Sequence, residues 1–196
     1  MGLWFSICLA GFILILVPYF LSLEHGRLDR WFGENSRLMG DALGVISGWS
    51  FFGFWIGLWV SPQSRVQLGY PLFSLWGITF TAINIGVSVF FIAPAFWFGI
   101  KGVSELGIRV SETHRPDKII QTGVYGVIRH PQYLGGVLGH FGVSILLGSR
   151  DALLVSPIVI LIVYLICWKE EKELVKEYRR VYSKYQKEVP MLIPRR

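Results

Sequence analysis

The apolar residues of this chain gather in long blocks separated by short polar stretches. Leu3 to Leu23, Ala42 to Val60, Val66 to Ile100, Pro131 to Ser149 and Ala152 to Trp168 each lack any Asp, Glu, Lys or Arg. A bilayer core of about 30 Å takes roughly 20 apolar residues as a helix, so the pattern predicts five transmembrane helices and an all-α integral membrane protein. The third block is too long for one upright crossing. Pro71 and Pro94 are expected to trim it and leave Phe96, Trp97 and Phe98 at an interface. The first block has no Lys or Arg ahead of it and no cleavage-site pattern, so it reads as a retained helix.

Charge orients these spans. Lys and Arg accumulate on the cytoplasmic side of membrane proteins. Between spans one and two, between three and four, and after span five lie 17 of the 19 basic residues. Only Arg65 and Arg150 fall on the other side. The N-terminus is therefore expected outside, with the C-terminus and the chemistry facing the cytoplasm. The formal charge of +6 then belongs to one membrane face. It suits anionic lipid better than nucleic acid, because the basic residues hug the span ends.

The chain divides into residues 1–100, three N-terminal spans with little chemistry, and residues 101–196, which hold nearly all the informative polar groups. In the first part Gly40, Gly44, Gly48, Gly53 and Gly57 mark close helix packing. Asn84 reads as an interhelical hydrogen bond. Cys8 and Cys167 have no metal-ligand spacing and suggest no disulfide framework. No metal site is expected.

In the second part Pro131 suits the first turn of a helix, so span four starts near His130 with its amides free and positive. Gly135, Gly136, Gly139 and Gly142 leave one flank of that helix bare, for a neighbouring helix or for a ligand. Span five runs into "KEEKELVKEYRRVYSKYQKEVP", where Leu174, Tyr178, Val181, Tyr182 and Tyr185 recur at helical spacing and continue the helix as an amphipathic tail. Glu170 and Glu171 end the span at the depth of Arg129 and His130. Ionisable groups near the bilayer are costly and often functional, though adjacent acids there can also be plain anchors. His140 falls inside span four and reads as a hydrogen-bonded packing residue. His25 and His114 read as polar loop residues.

"GVYGVIRHPQYLG", followed by "EEKELVKEYRRVYSKYQKEVPMLIP", resembles the isoprenylcysteine carboxyl methyltransferase family and its wider phospholipid methyltransferase relatives. The likeness covers Arg115 to Pro194. It implies S-adenosylmethionine as cofactor, bound by Asp117, Lys118, Ile119, Ile120, Tyr125, His130, Pro131, Gln132, Tyr133 and Glu170. On this resemblance Glu170, Arg129 and Glu171 are the candidate catalytic residues. The implied acceptor is a lipophilic or lipidated-cysteine carboxylate entering from the bilayer. No strand–GxGxxG–helix pattern of a nucleotide-binding fold is present. The short chain resembles prokaryotic members, so a prokaryotic cell membrane is expected, or the endoplasmic reticulum in a eukaryote.

One position departs from the pattern. Eukaryotic carboxyl methyltransferases of the family carry an arginine one turn before the paired acids, where this chain has Ile166; Lys169 or Arg129 could stand in. A phospholipid or other lipophilic amine or thiol acceptor therefore stays open. So does a non-catalytic membrane binding protein of the same fold.

Overall fold

The computed structural model describes residues 1–107 and 119–194 and is mostly helical. The first apolar block forms α1 (Leu3–Leu14) and α2 (Leu16–Leu23). They part at Ile15 because Pro18, in the first turn of α2, offers no N–H to the carbonyl four residues back. A short amphipathic helix, α3 (His25–Phe32), leads through a 3₁₀ turn (Gly33–Asn35) into α4 (Ser36–Val60).

The third block holds more than a helix. Pro71–Leu75 (β1) and Ile78–Thr81 (β2) pair as an antiparallel hairpin before α5 (Ala82–Leu106). This departs from the all-α expectation. The segment is rich in β-branched and aromatic residues, and Trp76 and Gly77 both have positive φ at its turn, the requirement of a two-residue type I′ hairpin. Pro71 does break the block, but Pro94 lies inside α5, which continues past Phe96–Phe98. Prolines are tolerated in membrane helices where neighbours satisfy the freed carbonyl. Asn84 likewise serves the hairpin rather than another helix: its Oδ1 accepts from Leu68 N at 3.1 Å and its Nδ2 donates to Val66 O at 2.9 Å.

Among the described residues beyond α5 come a 3₁₀ turn (Gly123–Gly126), then α6 (Pro131–Leu146), α7 (Arg150–Leu154) and α8 (Ser156–Glu188), which kinks at Arg179. Among the described residues three helical stretches are long and apolar enough to cross a membrane: Leu3–Leu23, His25–Val60 and Ala82–Leu106. The expected fourth and fifth spans are shorter as helices. α6 has 16 residues, about 24 Å at 1.5 Å per residue, and is followed two residues on by Gly148, whose φ is +61°. The apolar part of α8 stops at Lys169.

Two contacts place the second half. Phe12, Tyr19, Phe51, Trp55 and Leu58 from α1, α2 and α4 share a core with Val159, Ile162, Val163 and Ile166 of α8. α6 lies against α5, with backbones touching: a Cβ at Gly135 would sit 2.8 Å from Gly99 N and 2.9 Å from Ala95 O. Gly142 meets Ile92 of α5, and Gly136 meets Trp55 of α4. The bare flank of α6 is thus taken up by helices. Of the α4 glycines, Gly57 meets Cys8, while Gly48 and Gly53 face open space.

Candidate active site

The chain is steered to the start of α6 by a tight turn. Gly123 has φ +59°, and the carboxylate of Glu105 occupies the place a Cβ would need. That carboxylate accepts from Val124 N at 2.9 Å. The turn buries Tyr125, whose hydroxyl donates to Gly102 O and accepts from Gln132 Nε2, each at 3.2 Å. Pro131 then opens α6 at its first position.

Arg129 and His130, just ahead of Pro131, are held by the end of α8 and the segment after it. Their amides donate to Pro190 O at 2.9 Å and Met191 O at 3.1 Å. The amides of Arg129 and His130, next to this helix start, are therefore occupied. The Arg129 guanidinium grips Glu171 in a two-pronged pair, Nε to Oε1 at 2.6 Å and Nη2 to Oε2 at 3.0 Å. Its Nη1 donates to Gln186 O at 3.0 Å and also to Val189 O. Glu171 further accepts from Gln186 Nε2 at 2.7 Å and meets His130 Nε2 at 3.1 Å. All three of Arg129, His130 and Glu171 are buried. Burial by itself would raise the Glu171 pKa, but the hydrogen bonds and charges of His130 and Arg129 outweigh it and lower the value to about 2. Glu171 stays ionised at every working pH. Because a carboxylate only accepts, His130 Nε2 carries the hydrogen.

Glu170, one residue earlier, faces a cavity instead. Its Oε1 accepts from Tyr19 at 2.7 Å and from Tyr133, and its Oε2 lies 3.6 Å from His130 Nδ1. The Tyr19 and Tyr133 hydroxyl oxygens also lie 2.7 Å apart, so their two hydrogens serve two of these three contacts at a time. The cavity is walled by Ile119, Ile120 and Tyr125, by Arg129, His130, Pro131, Gln132 and Tyr133, and by Glu170. Glu173, Leu174, Glu177, Tyr182 and Tyr185 of α8 complete one side, with Leu23, His25 and Leu106 on the other. Burial raises the pKa of Tyr125, Tyr182 and Tyr185, so their hydroxyls remain neutral. Tyr185 donates to Tyr125 O at 2.5 Å, tying the tail to the turn.

The structure thus gathers eight of the expected cofactor-binding residues around one space: Ile119, Ile120, Tyr125, His130, Pro131, Gln132, Tyr133 and Glu170. Asp117, Lys118 and His114 lie outside the described residues. Of the candidate catalytic residues, Glu170 and Arg129 line the cavity, whereas Glu171 lies behind it in the clasp. Lys169 is paired with Glu24 at 2.8 Å and Glu173 at 3.1 Å. Ile166 is 2% exposed in the apolar core. Two cavity residues and one further contact to Glu170 come from the span region expected to hold little chemistry. Leu23 and His25 line the space directly, and Tyr19 reaches Glu170 from α2. Tyr19 gave no local signal beyond being the one hydroxyl-bearing ring of its apolar span. His25, read as a loop residue, opens α3 at the cavity wall. Among the described residues no three His, Cys, Asp or Glu gather as a metal-ligand set.

Residues 82–181, from the start of α5 through most of α8, match the phospholipid methyltransferase family. Over 101 residues the chain is 30% identical to a protein-S-isoprenylcysteine O-methyltransferase of Schizosaccharomyces pombe. That alignment covers 47% of this chain and 40% of the relative. No solved structure matches.

Proposed function

This chain belongs to the phospholipid methyltransferase family, and from that premise we propose that it is an S-adenosylmethionine-dependent enzyme that O-methylates the carboxylate of a lipophilic, isoprenylcysteine-like acceptor. One observation carries the reading. His130 at the start of α6 and Glu170 on α8 stand 3.6 Å apart on the wall of one cavity, among aromatic and apolar side chains.

The donor set suits such a cofactor, which is a net cation bearing an ammonium, a sulfonium, a carboxylate and an adenine. Glu170, Glu173 and Glu177 make the cavity acidic. In this proposal Glu170 pairs with the ammonium, Ile119 and Ile120 wall the adenine, and Tyr125 and Tyr133 offer ring faces to the cation. His130, Pro131 and Gln132 close the α6 side, with Asp117 and Lys118 on the preceding segment. Arg129 and Glu171 act as positioning residues that hold His130 against the cavity. When bound, the cofactor supplies an electrophilic methyl group.

An acceptor carboxylate is already ionised at pH 7, so this chain needs no general base for it. Its contribution is alignment and dryness. Charge is annihilated as the methyl moves, and a water-poor cavity favours that step. The proposed topology has α6 and α8 completing five crossings, with the tail and cavity at the cytoplasmic face. The split of 17 basic residues against two supports it. Residues 101–196 then form the catalytic half, with residues 1–100 closing the cavity through Tyr19, Leu23 and His25.

The test is titration of purified protein in detergent with S-adenosylmethionine by calorimetry. Binding by wild type and its weakening in Glu170→Gln are expected; no heat of binding by wild type overturns the reading. A second reading, methylation of a phospholipid amine, is favoured by the buried Ile166, where related carboxyl methyltransferases carry arginine. Labelled cofactor offered with a farnesylated cysteine analogue and with phosphatidylethanolamine separates the two by which product carries the label.

A further inference from the structure

The hairpin β1–β2 sits at the end of α5 opposite the cavity, and the chemistry above makes no use of it. It is nonetheless a built element. Thr81 caps α5, its hydroxyl accepting from Asn84 N at 3.2 Å and donating to Leu68 O. The Asn84 side chain holds the approach to β1 by two backbone hydrogen bonds. Ala82 N donates to Tyr70 O at 3.2 Å. The hairpin is therefore fixed to the first turn of α5.

Its two faces differ. Phe73 stacks on Phe80 with ring centroids 4.9 Å apart, and Leu75 lies opposite Ile78. On the other face Ser74 and Thr79 hydrogen-bond at 3.0 Å. At the turn Trp76 is 92% exposed, and Tyr70 at the base is 86% exposed. A lone two-stranded hairpin is marginal in water, and a contiguous exposed apolar patch marks an interaction surface.

The page also indicates the partner. No Asp, Glu, Lys or Arg occurs from Val66 to Ile100, so the hairpin and α5 as far as Ile100 form one uncharged stretch. Exposed Leu72, Phe73 and Leu75 lead into exposed Ile83, Val87 and Phe90 of α5, one of the three membrane-length helices. Exposed Phe52, Ile56 and Val60 line α4, which enters the hairpin from the other side. A protein partner would be expected to meet some charge at the rim of this patch; a bilayer would not. Trp and Tyr concentrate where the acyl region meets the headgroups.

The geometry points to a lipid surface as the partner of this hairpin. Its apolar face rests on the acyl chains at the membrane face opposite the cavity, with Trp76 and Tyr70 at headgroup depth. The inference stands on the hairpin alone and does not depend on the methyltransferase reading.

The experiment uses the full chain in phosphatidylcholine vesicles, plain or brominated near the upper end of the acyl chains. Emission of the Trp76→Phe variant is subtracted from that of wild type, which isolates Trp76. The difference emission is expected to be blue-shifted, to lose most of its intensity with brominated lipid, and to resist aqueous iodide. Red-shifted emission quenched by iodide places the hairpin in water and overturns the inference. Emission indifferent to both quenchers places it against another protein copy and overturns it equally. A second variant, Leu75→Trp in the Trp76→Phe background, moves the reporter onto the apolar face. Its emission is expected to be quenched by bromines set deeper in the chains, and iodide quenching there also counts against the proposal.

Discussion

The start and the middle of α6 each bury a histidine, and the two are handled in opposite ways. His140 lies midway along α6, away from the cavity, and has only neutral partners. Trp55 Nε1 and Trp59 Nε1 donate to its Nδ1 at 2.9 and 3.3 Å, so its Nε2 carries the hydrogen toward Ala152 O and Ser156 Oγ, each at 3.2 Å. Every polar atom of the ring is used, and the node fastens α4, α6, α7 and α8 together. His130, ten residues earlier, lies between two carboxylates, one locked in an ion pair and one facing a cavity. A buried polar group must be satisfied wherever it sits. Satisfaction by neutral groups gives a closed joint, whereas satisfaction by charges beside a cavity leaves a site that can respond to a ligand. The same contrast separates Glu171 from Glu170 at adjacent positions.

The largest effect is expected from Glu171→Ala. It strands the Arg129 guanidinium in a buried place, a loss of about 3–5 kcal/mol for a broken buried pair. Thermal unfolding in detergent should fall sharply, and cofactor binding with it. An unchanged midpoint would show that the clasp is not structural. Glu170→Gln sharpens the contrast. It keeps the size of the side chain but removes its charge, and should weaken S-adenosylmethionine binding by about 1.5–3 kcal/mol with little change in unfolding temperature. A large stability loss there would make Glu170 another anchor.

Midway along α6, His140→Phe leaves the Trp55 and Trp59 indoles without their acceptor, at about 1–3 kcal/mol. Thermal unfolding should register it, while calorimetric affinity for the cofactor should not move. A lowered affinity would mean the two histidine sites are coupled. Acid sets a finer test. The folded-state pKa of Glu171 is lowered from 4.5 to about 2, so its contribution is complete above pH 4.5 and is lost as the pH falls toward 2. Unfolding temperature plotted against pH should rise across that window, from about pH 2 to 4.5. The slope should shrink in Glu171→Gln. The smallest effect is expected for Tyr19→Phe, which removes one hydrogen bond to Glu170, about 0.5–1.5 kcal/mol. It should appear in cofactor titrations with unfolding nearly unchanged, and no effect on binding would return α2 to a purely packing role.

Much of this was legible along the chain because its signals are local. Pro131 marked the start of α6, the uncharged blocks marked the helices, and the packing role of His140 followed from its place in mid-span. The neighbours of the α6 glycines were left open between helix and ligand, and the helices took them. Other features were not legible. The hairpin lay inside an uncharged block that hydropathy alone reads as membrane helix. The amides of Arg129 and His130 looked free because their acceptors, Pro190 and Met191, lie some 60 residues downstream. Without the family resemblance, which singled out Glu170, the two acids could not be told apart by position, since adjacent helical residues point in directions about 100° apart and only the surroundings decide which direction holds a cavity.

The sequence by itself determined where apolar helices form, where proline and glycine interrupt them, and which short motifs carry ionisable groups at their ends. These follow from the periodicity and backbone limits of a few neighbouring residues. Only the tertiary structure decided that Glu171 closes a clasp while Glu170 opens to a cavity, that Tyr19 joins it from 151 positions away, and that a hairpin precedes α5. A buried charge takes whatever partner the packing of distant helices brings within hydrogen-bond reach, and no local pattern encodes that partner.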